Sequence, residues 1–204
     1  MYIPKYYKTE DIAAVKEFIA ANGFAILVSQ VEGRPWATHI PILLSMDAGG
    51  KDVLTGHISK ANMQGTEFEK KGEVLAVFTG PHAYVSSSWY DHENVPTWNY
   101  IAVHVYGRIR IVEGYELKEQ LRKMVDKYEK GMDKPVSVNK MSPDFLKKEM
   151  EGIIGFEIEI TEIQAALKLS QNRDDHNYAR IIEGLDKKGD LQSREIARLM
   201  KNRK

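Results

Sequence analysis

Between residues 100 and 112 apolar side chains recur at every second position, with Ile101, Val103, Val105, Ile109 and Ile111 on one side of an extended chain. A strand of this length buries one whole face, so it requires several neighbours in the same sheet and a shared core beneath them. The sequence supplies them. Residues 24–31 form a nearly continuous apolar run, Glu32-Gly33-Arg34-Pro35 is a turn, and 36–46 is a second run, which together read as a hairpin. Pro41 predicts that this second strand lies at an edge or a bulge. After the turn Asp47-Ala48-Gly49-Gly50, residues 53–59 predict a third strand and 73–79 a fourth. Gly107 marks a bulge or bend in the long strand. Residues 155–163 alternate Phe156, Ile158 and Ile160 against Glu157, Glu159 and Thr161, a last strand with one face in water.

Helices are expected between and after these strands. Thr9 caps a stripe of Ile12, Val15, Phe18 and Ile19 that stops at Asn22-Gly23. Residues 61–71 predict a short polar helix, and 115–130 a longer one with Leu117, Leu121, Met124, Val125 and Tyr128 on one stripe. Ser142-Pro143-Asp144 opens a helix that Gly152 ends, after a loop over 131–140. Residues 174–185 and 190–200 predict two final helices joined by Asp186-Lys187-Lys188-Gly189. Six or so strands without βαβ alternation indicate an α+β chain built on an antiparallel Greek-key or split barrel, not a doubly wound sheet. No glycine-rich phosphate loop of the dinucleotide or P-loop kind is present. A chain of 204 residues supports one main core and a small appendage, here expected as a barrel domain over 1–172 and a helical hairpin over 173–204.

Composition excludes several chemistries. With no cysteine, a disulfide framework, a cysteine-ligated zinc and thiol catalysis are out of reach. No apolar run is long enough to cross a bilayer and the first residues lack a signal-peptide pattern, so a cytoplasmic protein with no membrane partner is expected. Lysine plus arginine equals aspartate plus glutamate at 29 each, so no global positive field draws the chain to nucleic acid. The six histidines show no metal-binding spacing and no metal is expected. Ser86, Ser87 and Ser88 near His82 and His92 lack a nucleophile-elbow pattern, and no catalytic residue is assigned.

The densest chemistry lies over 79–106, where His82, Tyr84, Trp89, Tyr90, Trp98 and Tyr100 crowd among small hydroxyls. A loop with this many rings buries them against a neighbouring subunit, lines a pocket for a flat ligand, or plugs the end of the barrel. Sequence leaves the three open.

Five segments in order carry a resemblance over nearly the whole chain: Thr38-His39-Ile40-Pro41, Leu54-Thr55-Gly56-His57-Ile58, Thr79-Gly80-Pro81-His82-Ala83-Tyr84-Val85-Ser86, Val95-Pro96-Thr97-Trp98-Asn99-Tyr100 and Lys168-Leu169-Ser170-Gln171-Asn172-Arg173. The chain resembles the PaiB-like FMN-binding negative transcriptional regulators. The resemblance implies an FMN-binding split barrel like that of pyridoxamine-phosphate oxidase and a homodimer with FMN at the subunit interface. It also implies repression of sporulation and secreted-protease genes. By the same resemblance Thr55, Ser59 and Lys60 surround the FMN phosphate, with Lys60 its cation; His57 in the same stretch is a further donor for it, and Asn62 is also expected to bind the cofactor. Trp98 and Asn99 flank the isoalloxazine ring, and Lys168, Ser170, Gln171 and Asn172 close over the flavin or its substrate from the partner subunit. Two departures are visible: Asn62-Met63-Gln64-Gly65 stands where the family reads Asn-Pro-Gln-Trp, and Ser87 where a proline is usual, which predicts a looser corner there.

An FMN-dependent oxidoreductase whose regulatory effect is indirect is the alternative, because in split barrels the flavin carries the chemistry. DNA is a candidate partner through the last two helices, where Lys187, Lys188, Arg194, Arg198, Lys201, Arg203 and Lys204 loosely form a basic helical pair. Asp174, Asp175, Glu183, Asp186, Asp190 and Glu195 dilute that charge, so a solvated helical hairpin is the favoured reading.

Overall fold

Glu32 and Gly33 both take positive φ, 51° and 76°, which makes the two-residue turn whose twist matches that of paired strands. It joins β1 (Phe24–Val31) to β2 (Arg34–Met46) in register from Phe24 opposite Pro41 to Val31 opposite Arg34. The computed structural model describes residues 1–68, 70 and 72–202. β3 (Asp52–Ser59) pairs with β2 from Ile42 opposite Gly56 to Met46 opposite Asp52. β4 (Glu73–Val85), β5 (Thr97–Val112) and β6 (Ile153–Lys168) complete a closed antiparallel barrel in the order β1-β2-β3-β6-β5-β4. The α+β split-barrel expectation is met.

β2 is therefore an interior strand, not an edge. Pro41 is accommodated because it stands one residue outside the stretch that pairs with β3, where its missing N–H is not needed. β4 and β6 run well past their expected ends. Residues 79–85, expected within a ring-bearing loop, are strand, so His82 and Tyr84, two residues apart, share its exposed face while Ala83 and Val85 turn into the core. Gly107 lies inside β5, which spans it as one strand. Its role is close approach, since a Cβ there would lie 2.3 Å from the Glu159 carbonyl oxygen of β6.

The barrel closes on a seam between β3 and β6, from Val53 opposite Glu159 to Ser59 opposite Ile153. Gly56 faces Phe156 across it, and a Cβ on Gly56 would fall 2.6 Å from that ring. Phe156 is fully buried and meets Phe68 edge-on at 5.6 Å between centroids, a favoured aromatic geometry. Leu27, Ile42, Leu54, Ile58, Phe78 and Ile158 fill the rest of the interior.

Of the helices, α1 (Ile12–Ala21) is capped by Asp11, whose Oδ1 accepts the Ala14 N–H at 3.0 Å. Thr9, the expected cap, accepts the Asp11 N–H at 3.3 Å instead. α2 is a single turn, Gly65–Phe68, shorter than expected. The chain before it is held in tight turns, with the Asn62 N–H on the Ser59 carbonyl and the Gly65 N–H on the Asn62 carbonyl; the expected end at Lys71 lies outside the described residues. α3 (Gly114–Glu129) and α4 (Pro143–Glu151) follow β5, and the connection between them contains one 3-10 turn, Val138–Lys140. Ser142 precedes α4 but makes no side-chain cap. α5 (Asp175–Lys188) and α6 (Leu191–Lys201) are capped by Asp174 and Asp190, and Gly189 turns between them at φ 74°.

Two compact units emerge: one of residues 19–78 and 105–163, the other of 1–18, 79–104 and the chain from Gln164 onward. Strands β4, β5 and β6 run through both. The second unit has its own core, in which Val85, Tyr90 and Leu169 pack with Ile181, Leu185, Ile196 and Met200. Gly184 of α5 lies against the Trp89 ring, with 2.4 Å to a would-be Cβ.

Replacing Gly107 by alanine is expected to destabilise the protein by about 1–3 kcal/mol, because the clash is with backbone that cannot swing aside. The measurement is the urea midpoint at constant m.

Candidate functional site

Alternation along β3 turns Leu54, Gly56 and Ile58 inward, and Thr55, His57 and Ser59 outward. On β6 the outward partners of these three are Glu157, Gly155 and Ile153. α3 covers part of this face: a Cβ on Gly155 would meet Leu117 at 2.4 Å. Thr55 is only 3% exposed and lines a cavity of about 550 Å³ under α3 with Gln120, Arg110 and Glu157. Arg110 is already ion-paired with Glu116 and, at 2.8 Å, with Glu157. Hydrogen bonding to Glu116, then to Glu157, pushes the guanidinium pKa further up, so this cavity holds no uncommitted cation at Arg110.

Lys60 lies elsewhere. At the end of β3 its backbone N–H donates to the Gly152 carbonyl at 2.9 Å. Its side chain lines a groove of about 670 Å³ whose floor includes Ile111, Leu117, Leu146, Met150 and Ile154. Lys118 of α3 and Lys147 of α4 line the same groove, with Glu113 and Glu151 as its acids. None of the three lysines is ion-paired to a described residue. An apolar floor edged by uncommitted ammonium groups matches a ligand with a flat apolar body and a dianionic head, and the volume lies within the usual range for such ligands. The residues present therefore fit a flavin phosphate at Lys60, and do not unite Lys60 with Thr55 in one cavity.

Asn62 belongs to the architecture of the corner. Its Nδ2 donates to Thr38 Oγ1 at 2.9 Å, and its Oδ1 accepts the Gln64 N–H at 3.0 Å. Gln64, wholly buried, accepts from Thr38 at 2.7 Å and donates to the Leu27 carbonyl at 3.1 Å and to Ser29 Oγ at 3.0 Å. Gly65 meets Ile154 so closely that a Cβ would lie 2.5 Å from its Cδ1. The corner expected to be loose is instead knitted, with Ile154 packed where a tryptophan would otherwise have to fit.

The remaining candidates sit in the second unit. Asn99 is fully buried, accepting from Ser170 Oγ at 3.0 Å and donating to the Met200 sulfur at 3.5 Å. Gln171 folds back, accepting the Leu169 N–H and donating to the Leu167 carbonyl. These three amides and hydroxyls are engaged in holding a turn in which Ser170 takes φ 58°, uncommon for a residue with a Cβ. Lys168 Nζ donates to Thr97 Oγ1 at 2.6 Å and lies 5.7 Å from the Tyr7 ring centroid. Asn172 accepts from the Tyr7 hydroxyl at 3.2 Å. Trp98 is 51% exposed and groups with His82 and Tyr84 at about 6 Å between centroids. Tyr7 was not anticipated, and Tyr90, Thr38 and Gln64, though they fall in segments singled out above, were given no site role; the crowding of rings did not say which residues would meet.

The chain matches the family model described as "Putative FMN-binding domain" over residues 1–162. It belongs to that family. Among its relatives is the Bacillus subtilis protein named "Protease synthase and sporulation protein PAI 2", 45% identical over 206 residues that cover 100% of this chain and 98% of the relative. An uncharacterized protein of Emericella nidulans is 27% identical, covering 100% of this chain and 97% of its own. Solved structures share the fold: the flavocytochrome Anf3 of Azotobacter vinelandii, with a TM-score of 0.64 at 19% identity, covers 87% of this chain and 78% of that one. The FAD and heme binding protein of Mycobacterium smegmatis follows at 0.61 and 13%, covering 85% and 79%. No helix among the described residues is long and apolar enough to cross a membrane.

Burial depresses the pKa of His57, and burial followed by the N-terminal charge depresses that of His104. Both imidazoles resist a proton that the unfolded chain accepts near 6.5. Stability is thus fullest above that pH and falls as pH drops below it. The carboxylates act in a lower window, since Asp190, held at about 2 by the Ser193 N–H and hydroxyl, loses its contribution only below about 4. A His57→Gln, His104→Gln double variant is expected to flatten the fall in urea midpoint between pH 7.5 and 5.5 while leaving the acid limb below pH 4 in place.

Proposed function

We propose that this protein binds FMN and acts as a homodimer in the negative control of sporulation and degradative-enzyme genes. The observation that carries the flavin reading is the groove at Lys60, with uncommitted lysines edging an apolar floor, in a chain whose family is defined by an FMN-binding domain. Lys60 supplies the charge facing the phosphate. Ser59 and His57 share the outward face of β3 and are the further donors proposed for it. Bound FMN supplies reversible electron transfer, and the chain's own work is to hold the phosphate and exclude water from the ring with Leu117, Leu146 and Met150. The regulatory reading rests on the full-length relationship to the Bacillus subtilis sporulation protein.

Control does not require this chain to read DNA itself. In the C-terminal helices Lys187 pairs with Glu183, Lys188 with Asp190, Arg198 with Glu195 and Lys201 with Asp186. Charges neutralised in this way give little counterion release on a phosphate backbone. Arg203 and Lys204, part of the expected basic tail, lie outside the described residues. We infer an indirect route, in which flavin or metabolite binding alters a partner. The homodimer reading is supported by exposed rings on strand faces, Tyr84 at 39% and Trp98 at 51%, which a second copy would remove from water.

Visible absorbance after incubation with FMN and desalting tests the site. The parent should retain the chromophore, and Lys60→Ala should weaken FMN about tenfold or more. Riboflavin, which lacks the phosphate, should bind both proteins alike. Equal FMN affinity in parent and variant would remove Lys60 from the site.

Light scattering on an eluting column tests the assembly, with a mass near twice 23.3 kDa expected for the parent and a shift toward the monomer for Trp98→Ala.

A further inference from the structure

The turn that links β6 to α5 brings two cations together without a counterion. Lys168 and Arg173 stand on one tight turn, in which the Arg173 N–H donates to the Ser170 carbonyl at 3.0 Å, and burial, then the Arg173 charge, lowers the Lys168 pKa. Neither is ion-paired to a described residue. The neighbouring acids are engaged elsewhere: Asp174 caps α5 through the Asn177 N–H at 2.9 Å, and Asp91 accepts from Asn177 Nδ2 at 3.0 Å and contacts His92 at 2.7 Å. Around the two cations stand tyrosines. The Arg173 guanidinium lies over the Tyr90 ring at 5.0 Å and Lys168 over the Tyr7 ring at 5.7 Å. Tyr7 in turn feels Arg173, Tyr90 and Tyr100. Tyr90 is 6% exposed, and its hydroxyl is buried with no hydrogen-bond partner among the described residues.

Each of these features is unfavourable alone. Two like charges repel, an ammonium group leaves water, and a buried phenol forgoes a hydrogen bond. The backbone adds strain at Ser170, held at positive φ by its bond to Asn99 and by the Gln171 side chain, and strain that the surroundings enforce is a feature of ligand sites. A cationic or purely apolar ligand relieves none of the three. An oxyanion relieves all of them, since it neutralises both cations and accepts from the phenol.

We propose that Lys168, Arg173 and Tyr90 form an oxyanion site, taking the phosphate or carboxylate group of a small ligand flanked by the Tyr7 ring. The site stands on residues of the second unit only and does not depend on the Lys60 groove. Its oxyanion has two sources, the phosphate of a flavin or a separate small acid.

The test is calorimetric titration of the full-length protein, without flavin, with inorganic phosphate and with acetate at constant ionic strength in chloride. It is repeated for Lys168→Gln, Arg173→Gln and Tyr90→Phe, each checked for an unchanged far-ultraviolet spectrum. The parent should bind at least one of the two anions. Lys168→Gln, which keeps a donor for Thr97, and Arg173→Gln should each weaken it roughly 10- to 100-fold, and Tyr90→Phe by a few-fold. FMN and riboflavin are then compared on the Lys168 variant. A loss confined to FMN assigns the site to the flavin phosphate, whereas unchanged FMN binding with lost anion binding assigns it to a separate acid. The proposal is overturned if the parent binds neither anion and FMN affinity is unchanged in the Lys168 and Arg173 variants, or if the parent binds an anion that all three variants bind equally.

Discussion

Closing a six-stranded sheet on itself removes every edge, but only if the last strand can reach the first three, and here that depends on the β3–β6 seam. The seam works because two positions carry no side chain. Gly56 leaves room for the Phe156 ring, and Gly107 lets β5 press against the Glu159 carbonyl on the other side of β6. With those contacts made, Phe156 meets Phe68 and the interior fills with fully buried aliphatic and aromatic side chains. The same seam sets the outward row of Thr55, His57 and Ser59 and delivers Lys60 to its groove. Site and closure are consequences of one register. A slip by one residue would turn the row inward and bring Ile58 out.

The period-two pattern over 100–112 and the alternation over 155–163 made the strands legible, because one face of each lies in the core and the other does not. Their lengths were not legible. Beyond residue 79 in β4 the core face packs in the cluster of α5 and α6, where the small Ala83 stands with Val85, and the chain after β6 adds Leu169 to the same cluster. A pattern scan reads that change as the end of a strand. Pro41 misled for a related reason: proline excludes a hydrogen bond at one residue and does not exclude a strand from the interior.

The site was legible as chemistry and much less so as geometry. Lys60 stands where a strand end meets a groove, and that placement is what the proposed phosphate role rests on. Asn62, Asn99, Ser170 and Gln171 have the right functional groups, yet the fold engages them in its own hydrogen bonds. Polar residues in a small barrel must satisfy one another before they can serve a ligand, because each buried donor left alone costs about 1–3 kcal/mol. Residue type cannot separate the two uses. Partners can, and the partners of the Gln64 side chain lie 26 to 37 residues away along the chain, beyond any local pattern.

That rule also orders the candidates that remain. A polar group with its partners in hand is architecture, whereas a cation without a counterion or a buried hydroxyl without a bond is a cost that the fold has left in place. Lys168 and the buried Tyr90 hydroxyl are groups of this kind in the second unit, whereas Lys60, Lys118 and Lys147 edge an open groove in contact with water. The contrast with Arg110, locked between two glutamates beside Thr55, and with the ion-paired helices at the C-terminus is one of charge balance and not of charge number. A chain with 29 charges of each sign has enough carboxylates to neutralise every cation it carries. Where it leaves cations together and unpaired, the proposed anionic ligands would supply the missing negative charge.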